Sequence, residues 1–181
     1  IDSTIATPIN QRPLEFGIDL VTHSATKYLS GHNDILAGAV LGRSDLIAPI
    51  RSLHKSMGGL IDPHCCYLLL RGLKTFPMRV EKQNATALKV ARFLEDHPDV
   101  ERVYYPFLES HQHYNIAREQ MKGGGCVVTF VMKGELADAN RFMDCLEMIL
   151  IGPSFGGAET LITHPATVSY YDYTREERYE L

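Results

Sequence analysis

The sequence predicts an α/β fold, because short apolar segments alternate with helix-like segments along its 181 residues. Two apolar segments, GIDLVTHS and ILAGAVLG, are bounded by glycine and polar residues, which is typical of buried strands in a largely parallel sheet. The longest helical pattern covers residues 79–97, where apolar side chains recur at helical spacing and Pro98 follows.

Two further helices are predicted between the second strand and this long helix. Ser44 and Asp45 can begin a helix that continues to about Met57, where two glycines provide an end. Asp62 followed by Pro63 is a favourable start for the next one, HCCYLLLRGLKT. Because this segment is apolar nearly all round, we expect it to be deeply buried.

The remaining segments alternate strictly. In order they are strand VERVYY, helix HQHYNIAREQM, strand GCVVTFVM, helix ELADANRFMDCLE and strand MILIGPS. We therefore predict two domains: residues 1–76 as the end of a larger α/β domain, and residues 77–181 as most of a smaller one. KGGG at residues 122–125 lacks the sequel of a phosphate-binding P-loop and is interpreted as a turn.

The composition excludes several classes of function. With 45% hydrophobic and 22% charged residues and a net charge of −4, the composition implies no basic surface, so we expect neither nucleic acid nor anionic membranes as partners. No apolar run approaches the roughly 20 residues that a membrane helix needs. The four cysteines lack metal-binding or disulfide-scaffold spacing, and the eight histidines lack suitable partners, so we expect no metal.

The ends of the sequence look like internal positions of a longer chain. IDSTIATP begins within a predicted strand, and TREERYEL resembles the opening of a helix. We therefore expect a fragment, with any targeting segment outside it. The expected compartment is the cytoplasm, or a plastid if the source is a plant.

The first residues combine groups that suit one ligand. Asp2 at a strand end can hold a protonated ring nitrogen, and the hydroxyl groups of Ser24 and Thr26 can donate to a phosphate. Lys27, one residue later, can form a Schiff base with an aldehyde. A pyridinium nitrogen, a phosphate and an aldehyde on one molecule describe pyridoxal phosphate.

At these motifs the sequence resembles the Cys/Met-metabolism family of pyridoxal-phosphate enzymes. The resemblance rests on IDSTIATP, HSATKYLSGH, GLIDPHCCYLLLRGLKT, RVEKQNATALKVARFLEDHP, VYYP and PSFGGAETLITHPAT, and it covers essentially the whole chain. It is closest to cystathionine γ-synthase-like members. It implies the type I, aspartate aminotransferase-like fold of pyridoxal-phosphate-dependent transferases.

The resemblance also implies roles for individual residues. Lys27 would be the Schiff-base lysine and later the proton shuttle, and Asp2 would pair with the pyridine nitrogen. The other implied roles are phosphate binding by Ser24 and Thr26, lining of the ring by Thr4, and substrate contacts by Ser154 and Glu159.

The implied activity is transsulfuration at the γ carbon of an amino-acid substrate, with cystathionine γ-synthase first. Cystathionine γ-lyase and methionine γ-lyase remain open, because synthesis and elimination share every residue named. Family members also use an upstream glycine loop and tyrosine, and a downstream R-x-S-x-G arginine, which this sequence does not contain. A catalytically incomplete fragment that acts as an assembly partner is therefore a further alternative. The implied assembly is a homodimer or homotetramer with shared active sites.

Overall fold

The computed structural model describes residues 1–180. Within this range the helices are α1 (Thr7–Asn10), α2 (Ser44–Met57), α3 (Pro63–Leu73), α4 (Phe76–Glu95), α5 (Tyr114–Gln120), α6 (Leu136–Asp144) and α7 (Arg175–Glu180). The strands are β1 (Leu20–Ser24), β2 (Gly38–Gly42), β3 (Val100–Tyr104), β4 (Thr129–Met132), β5 (Leu150–Ile151) and β6 (Leu161–Ile162). Every helix among these residues is too short or too polar to cross a membrane.

The chain forms two compact units. Unit 1 consists of Ile1–Lys133 together with Gly156–Ala158, and unit 2 consists of Gly134–Phe155 together with the residues from Glu159 onward. The domain boundary that we predicted between residues 76 and 77 lies in the first turn of α4, inside unit 1. That boundary stays a prediction.

The hydrophobic core of unit 1 lies between α4 and the β3 region. Ala87 and Ala91 face Val103, Tyr105 and Leu108, all of them buried. The two alanines lie four residues apart and so share one face of α4, and their small side chains allow the helix to approach the strand closely. β3 pairs with β4 in antiparallel orientation and completes this layer.

The expectation of a largely parallel sheet was wrong for the first two strands. β1 and β2 are antiparallel, with Val21 opposite Leu41, and β2 is mostly exposed. On β1, in contrast, Val21 and His23 are buried. Asp2 forms a parallel bridge with Thr22 of β1. The reason for the error is that a short apolar run shows that a strand exists without showing the direction of its partner.

The predicted start of α3 and the predicted end of α2 are confirmed, whereas α4 begins at Phe76, three residues before the predicted start, and the N-cap of α2 is Arg43, which makes no side-chain capping bond, instead of Ser44 or Asp45. Asp62 accepts hydrogen bonds from the backbone N–H groups of His64 and Cys65, 2.9 and 3.1 Å long, and so caps α3. At the end of α2, Gly58 adopts φ +76°, the left-handed conformation that glycine tolerates best.

The expectation that α3 is deeply buried was wrong. Only Gly72 is buried on this helix, and Tyr67 and Leu70 are 62% and 64% exposed. At the C-terminal end of α3, Gly72 lies against the backbone of Ser30. An apolar composition all round a helix therefore did not translate into burial here.

Unit 2 is smaller and begins with α6. Glu135 and Asp138 form a reciprocal capping box at the start of this helix, in which each side chain accepts from the other residue's backbone N–H. β5 and β6 pair in parallel, Leu150 opposite Leu161. The strand predicted at MILIGPS is thus present in shorter form, and β6 was not predicted.

Candidate active site

The first residues of the chain lie beside β1. The backbone N–H of Thr22 donates to the carbonyl of Ile1 at 2.8 Å, and the N–H of Ser3 donates to the carbonyl of Thr22 at 2.9 Å. These two bonds fix the segment alongside the strand that leads to Lys27. As a result Asp2 and the end of β1 belong to one structural unit.

The Asp2 carboxylate is an exposed anion with its orientation fixed by neighbours. Its Oδ1 accepts from the backbone N–H of Thr4 at 2.8 Å, and its Oδ2 accepts from the Thr22 hydroxyl at 3.4 Å. The hydrogen bonds from Thr4 lower the pKa of this carboxyl group most, and Thr22 and His23 add to the effect. Asp2 is therefore ionised at neutral pH and can hold a cationic group.

Thr4 links the Asp2 segment to the far end of β1. Its side chain is buried, and its Oγ1 accepts a hydrogen bond from the backbone N–H of Ser24 at 2.7 Å. The structure thus brings Asp2, Thr4 and Ser24 together through hydrogen bonds that join consecutive members of the set. What Thr4 does here is structural; its predicted contact with a cofactor ring stays a prediction.

Lys27 lies on a compact turn that directly follows β1. Its backbone N–H donates to the carbonyl of Ser24 at 3.2 Å, and its carbonyl accepts from the N–H of Gly31 at 2.8 Å. The N–H of Ser30 closes the turn further by donating to Ala25 at 3.0 Å. Five backbone positions are therefore fixed around the amine-bearing residue.

The two hydroxyl groups predicted to bind phosphate differ in their surroundings. The Thr26 hydroxyl accepts from the backbone N–H of Ala37 at 2.9 Å and donates to the Ala37 carbonyl at 3.3 Å, so its single proton is already engaged. Within the described residues the Ser24 hydroxyl has no such partner, and Ser24 is half-buried at the strand end. Ser24 is therefore the better placed donor for an anion.

His23 is a neighbour of the site that sequence reasoning did not assign to it. The ring is buried on β1 beside Asp2. Burial lowers the pKa of the imidazole, and the charge of Asp2 and a hydrogen bond involving the Ser3 backbone partly offset this. The signal in the sequence is its position two residues after Val21, which places His23 on the same buried face of β1.

Tyr28, the residue after Lys27, has a buried side chain that packs inside unit 1. Its side chain is 1% exposed, and its hydroxyl lies 3.0 Å from the Cys126 Sγ. Burial raises the pKa of the Tyr28 phenol, so the group stays neutral. Gly156, with φ +81°, passes so close that a Cβ there would lie 2.8 Å from Tyr28 Cγ. Nothing in the sequence pattern indicated these contacts.

Ser154 and Glu159 lie in unit 2, between β5 and β6. They flank the glycine-rich segment Gly156–Ala158, which is counted with unit 1. The structure therefore groups Asp2, Thr4, Ser24, Thr26 and Lys27 in unit 1, and it holds the two predicted substrate residues in the other unit.

The groups around β1 fit pyridoxal phosphate by their chemistry. An oriented anion, a hydroxyl donor and a primary amine are supplied by Asp2, Ser24 and Lys27. They correspond to a cationic ring nitrogen, a phosphate and an aldehyde. A metal ion fits less well, because the described residues contain no cluster of three or more histidine, cysteine, aspartate or glutamate side chains suited to one.

Comparisons with known proteins agree with one another. The family described as "Cys/Met metabolism PLP-dependent enzyme" matches residues 1–181. "Cystathionine gamma-synthase 1, chloroplastic" of Nicotiana tabacum is 49% identical over 178 residues, which are 98% of this chain and 33% of the relative. "L-methionine gamma-lyase" of Fusobacterium nucleatum is 44% identical over 180 residues, covering 98% of this chain and 46% of the relative.

Solved structures give the same result for the fold. The cystathionine gamma synthase of Xanthomonas oryzae, in complex with aminoacrylate and cysteine, matches with a TM-score of 0.93 and 36% identity. The match covers 99% of this chain and 46% of that chain. The predicted type I fold is therefore confirmed, and the chain spans between a third and a half of the length of these relatives.

Proposed function

Because the chain belongs to the Cys/Met metabolism PLP-dependent enzyme family, we propose that it is the lysine-bearing part of a cystathionine γ-synthase. Such an enzyme joins O-activated homoserine and cysteine to form cystathionine. The observation that carries the proposal is the linked set of Asp2, Ser24 and Lys27 around the end of β1.

Pyridoxal phosphate, when bound, supplies an electron sink for negative charge that develops at the substrate α carbon. The task of Asp2 is to hold a proton on the ring nitrogen through a charge-assisted hydrogen bond. The low pKa of its carboxyl group suits this task, because Asp2 stays anionic throughout the neutral range. The Thr4 N–H and the Thr22 hydroxyl keep the carboxylate in one orientation while it does so.

Lys27 would act first as the covalent attachment point for the aldehyde and then as a base. As the base, its Nζ would take the proton from the substrate Cα. The fixed turn from Ala25 to Gly31 supports this role, since it limits the positions that the side chain can reach. The Ser24 hydroxyl would donate to the phosphate, and Thr26 could do so only by giving up its bond to Ala37.

The roles of the two substrate residues are inferred from the resemblance of the sequence to the family. In PSFGGAET, Ser154 matches a position near the substrate carboxylate, and Glu159 matches one that faces the distal end of the substrate. A carboxylate at residue 159 suits a substrate with a distal ammonium group, as in cystathionine, better than it suits methionine.

Methionine γ-lyase is the second candidate, because a relative with that name is 44% identical to the chain. We further propose a homodimer or homotetramer with shared sites, acting on small amino-acid substrates. For the compartment we propose the cytoplasm, or a plastid if the source is a plant, which is the location in the names of the chloroplastic relatives.

The proposal is tested by borohydride reduction of the protein in the presence of pyridoxal phosphate, followed by peptide mapping. We expect a phosphopyridoxyl adduct on Lys27 that disappears in Lys27→Ala. The matched control is Lys55→Ala, which removes an exposed lysine of α2 and should leave the adduct unchanged. Labelling spread over surface lysines, with none concentrated at Lys27, would contradict the proposal and would favour a catalytically incomplete chain.

The two candidate reactions are separated by substrate. A synthase should form cystathionine from O-activated homoserine and cysteine. A lyase should release a keto acid from methionine or cystathionine alone.

A further inference from the structure

Arg79 reaches from α4 to the turn that carries Lys27. Its Nη1 donates to the carbonyl of Tyr28 at 3.0 Å, and its Nη2 donates to the carbonyl of Gly72 at 2.9 Å. Its Nε donates to the Thr75 hydroxyl at 3.1 Å. One guanidinium group therefore connects the residue after Lys27 with the end of α3 and the start of α4.

Two glycines allow this close approach. A Cβ at Gly31, which has φ +69°, would lie 1.9 Å from Arg79 Nη1. A Cβ at Gly72 would lie 2.1 Å from the backbone oxygen of Ser30. The turn therefore packs closely against both the guanidinium group, at Gly31, and the C-terminal end of α3, at Ser30.

The positive charge of Arg79 has no acidic partner among the ion pairs of the described residues. The side chain is half-buried, and its hydrogen-bond acceptors are two backbone carbonyls and one hydroxyl. The guanidinium carbon also lies 5.9 Å from the centre of the Phe76 ring. A surface arginine that serves only solubility would not lose hydration for such partners. The planar fork instead fits the two carbonyl groups that it joins.

We propose that Arg79 is a positioning residue that fixes the turn from Ala25 to Gly31 and thereby the direction of the Lys27 side chain. The proposal rests on the proposed function in assuming that Lys27 is the cofactor lysine. Arg79 donates hydrogen bonds to none of the three residues that we assign to the cofactor, Asp2, Ser24 and Lys27; it acts through the backbone of Tyr28.

The test compares Arg79→Met with Arg92→Met, an exposed arginine of the same helix. Amide hydrogen exchange in the cofactor-free protein is the first readout. We expect the amides of Ser30 and Gly31, which donate to Ala25 and Lys27, to exchange on the order of tenfold faster in Arg79→Met only. Equal exchange in Arg79→Met and wild type overturns the proposal.

Kinetics and spectroscopy are the second readout. We expect kcat to fall about tenfold in Arg79→Met with KM nearly unchanged, because a displaced base loses rate and leaves substrate binding intact. The pH at which the visible band of the bound cofactor changes should also move. If Arg79→Met matches Arg92→Met in kcat and in this pH, the proposal is wrong.

Arg79→Lys keeps the positive charge and cannot span both carbonyls, so it should show the same changes to a smaller extent. It replaces Arg79→Met if the latter does not fold, and wild-type behaviour in both readouts then overturns the proposal. Absence of the Lys27 adduct in the wild-type protein would instead refute the proposed function, and amide exchange would still report on the turn.

Discussion

Ser24 and Thr26 are two residues apart, and their hydroxyl groups have different surroundings. The Thr26 hydroxyl bonds both backbone groups of Ala37, and the Ser24 hydroxyl has no partner within the described chain. From the sequence, both residues were predicted to donate to a phosphate. The sequence does not show which hydroxyl group already has a hydrogen-bond partner in the fold.

This difference predicts that removal of the Ser24 hydroxyl affects cofactor binding, whereas removal of the Thr26 hydroxyl affects stability. Ser24→Ala should weaken pyridoxal phosphate binding by about 1 kcal/mol, roughly fivefold, with little change in the stability of the protein without cofactor. Thr26→Val should lower the free energy of unfolding by about 1–3 kcal/mol, because the half-buried N–H of Ala37 loses its acceptor. Cofactor titration and urea unfolding measure the two effects; Ser52→Ala, on the exposed face of α2, is the control. A stability loss confined to Ser24→Ala would contradict the assignment.

His23 predicts a pH dependence of stability. Its pKa is lowered from the ordinary value of 6.5 by burial, so the unfolded chain binds a proton more readily than the folded one. The contribution of neutral His23 to stability is therefore complete above the pKa that the imidazole has in the unfolded chain. It is lost as the pH falls below that pKa. Urea unfolding between about pH 7.5 and pH 5 should show a steeper loss in wild type than in His23→Gln.

The control for this measurement is His64→Gln, which removes an exposed histidine near the start of α3. It should keep the slope of the wild-type protein. A slope that is the same in His23→Gln and wild type would mean that His23 titrates alike in both states. Asp2 contributes in the same direction at lower pH, since its pKa is lowered too.

At the residue scale, the sequence predicted the groups that are adjacent in the chain. Asp2 and Thr4 are two positions apart, and Lys27 follows the strand that pairs with them. Arg79 and Tyr28 were not predicted, because the bond between them joins residues 51 positions apart. Local spacing does not report which distant side chain reaches a given carbonyl.

Among the elements, α3 and the Lys27 turn approach each other closely at Gly72. Gly72 makes it possible, since its missing side chain leaves room for the Ser30 carbonyl. Intrinsic helix propensity alone would favour alanine over glycine at a helix position by about 1 kcal/mol.

Gly72→Ala is therefore expected to destabilise the protein by about 1–3 kcal/mol, against the direction of helix propensity. The cause is the contact of 2.1 Å that a Cβ would make with the Ser30 oxygen. Gly59→Ala is the matched control, because a Cβ there meets nothing nearer than His54 at 3.6 Å. Thermal unfolding measures both. An unchanged or raised Tm in Gly72→Ala would show that α3 can move away without cost.

Helix boundaries were predicted more accurately than strand pairing. Asp62, Pro63 and Gly58 act on the backbone next to them, so their effect is visible in the sequence. The orientation of β2 depends on where a connecting segment of thirteen residues, 25–37, returns the chain. The exposure of α3 likewise depends on what packs against it, which its own apolar composition does not specify.

For the whole molecule, the proposed function predicts stabilisation by the cofactor. A ligand that binds only the folded state raises its stability by about 2.7 kcal/mol at a hundredfold excess over Kd. Pyridoxal phosphate should therefore raise Tm in wild type and in Lys55→Ala, and much less in Lys27→Ala. Scanning calorimetry with and without cofactor gives the comparison. An identical shift in Lys27→Ala would mean that binding does not involve this lysine.

The way the chain returns to unit 1 limits where it can be shortened. Gly156 lies against Tyr28, and the carbonyl of Gly157 accepts from Gln83 Nε2 at 2.8 Å. A polypeptide ending at Lys133 would thus lack the contact of Gly156 with Tyr28 and the hydrogen bond from Gln83 to Gly157, although every residue of the Lys27 turn was present. Anyone dissecting this protein by truncation would do better to retain residues 156–158, because removal of a distant short segment would mimic a defect in the lysine itself.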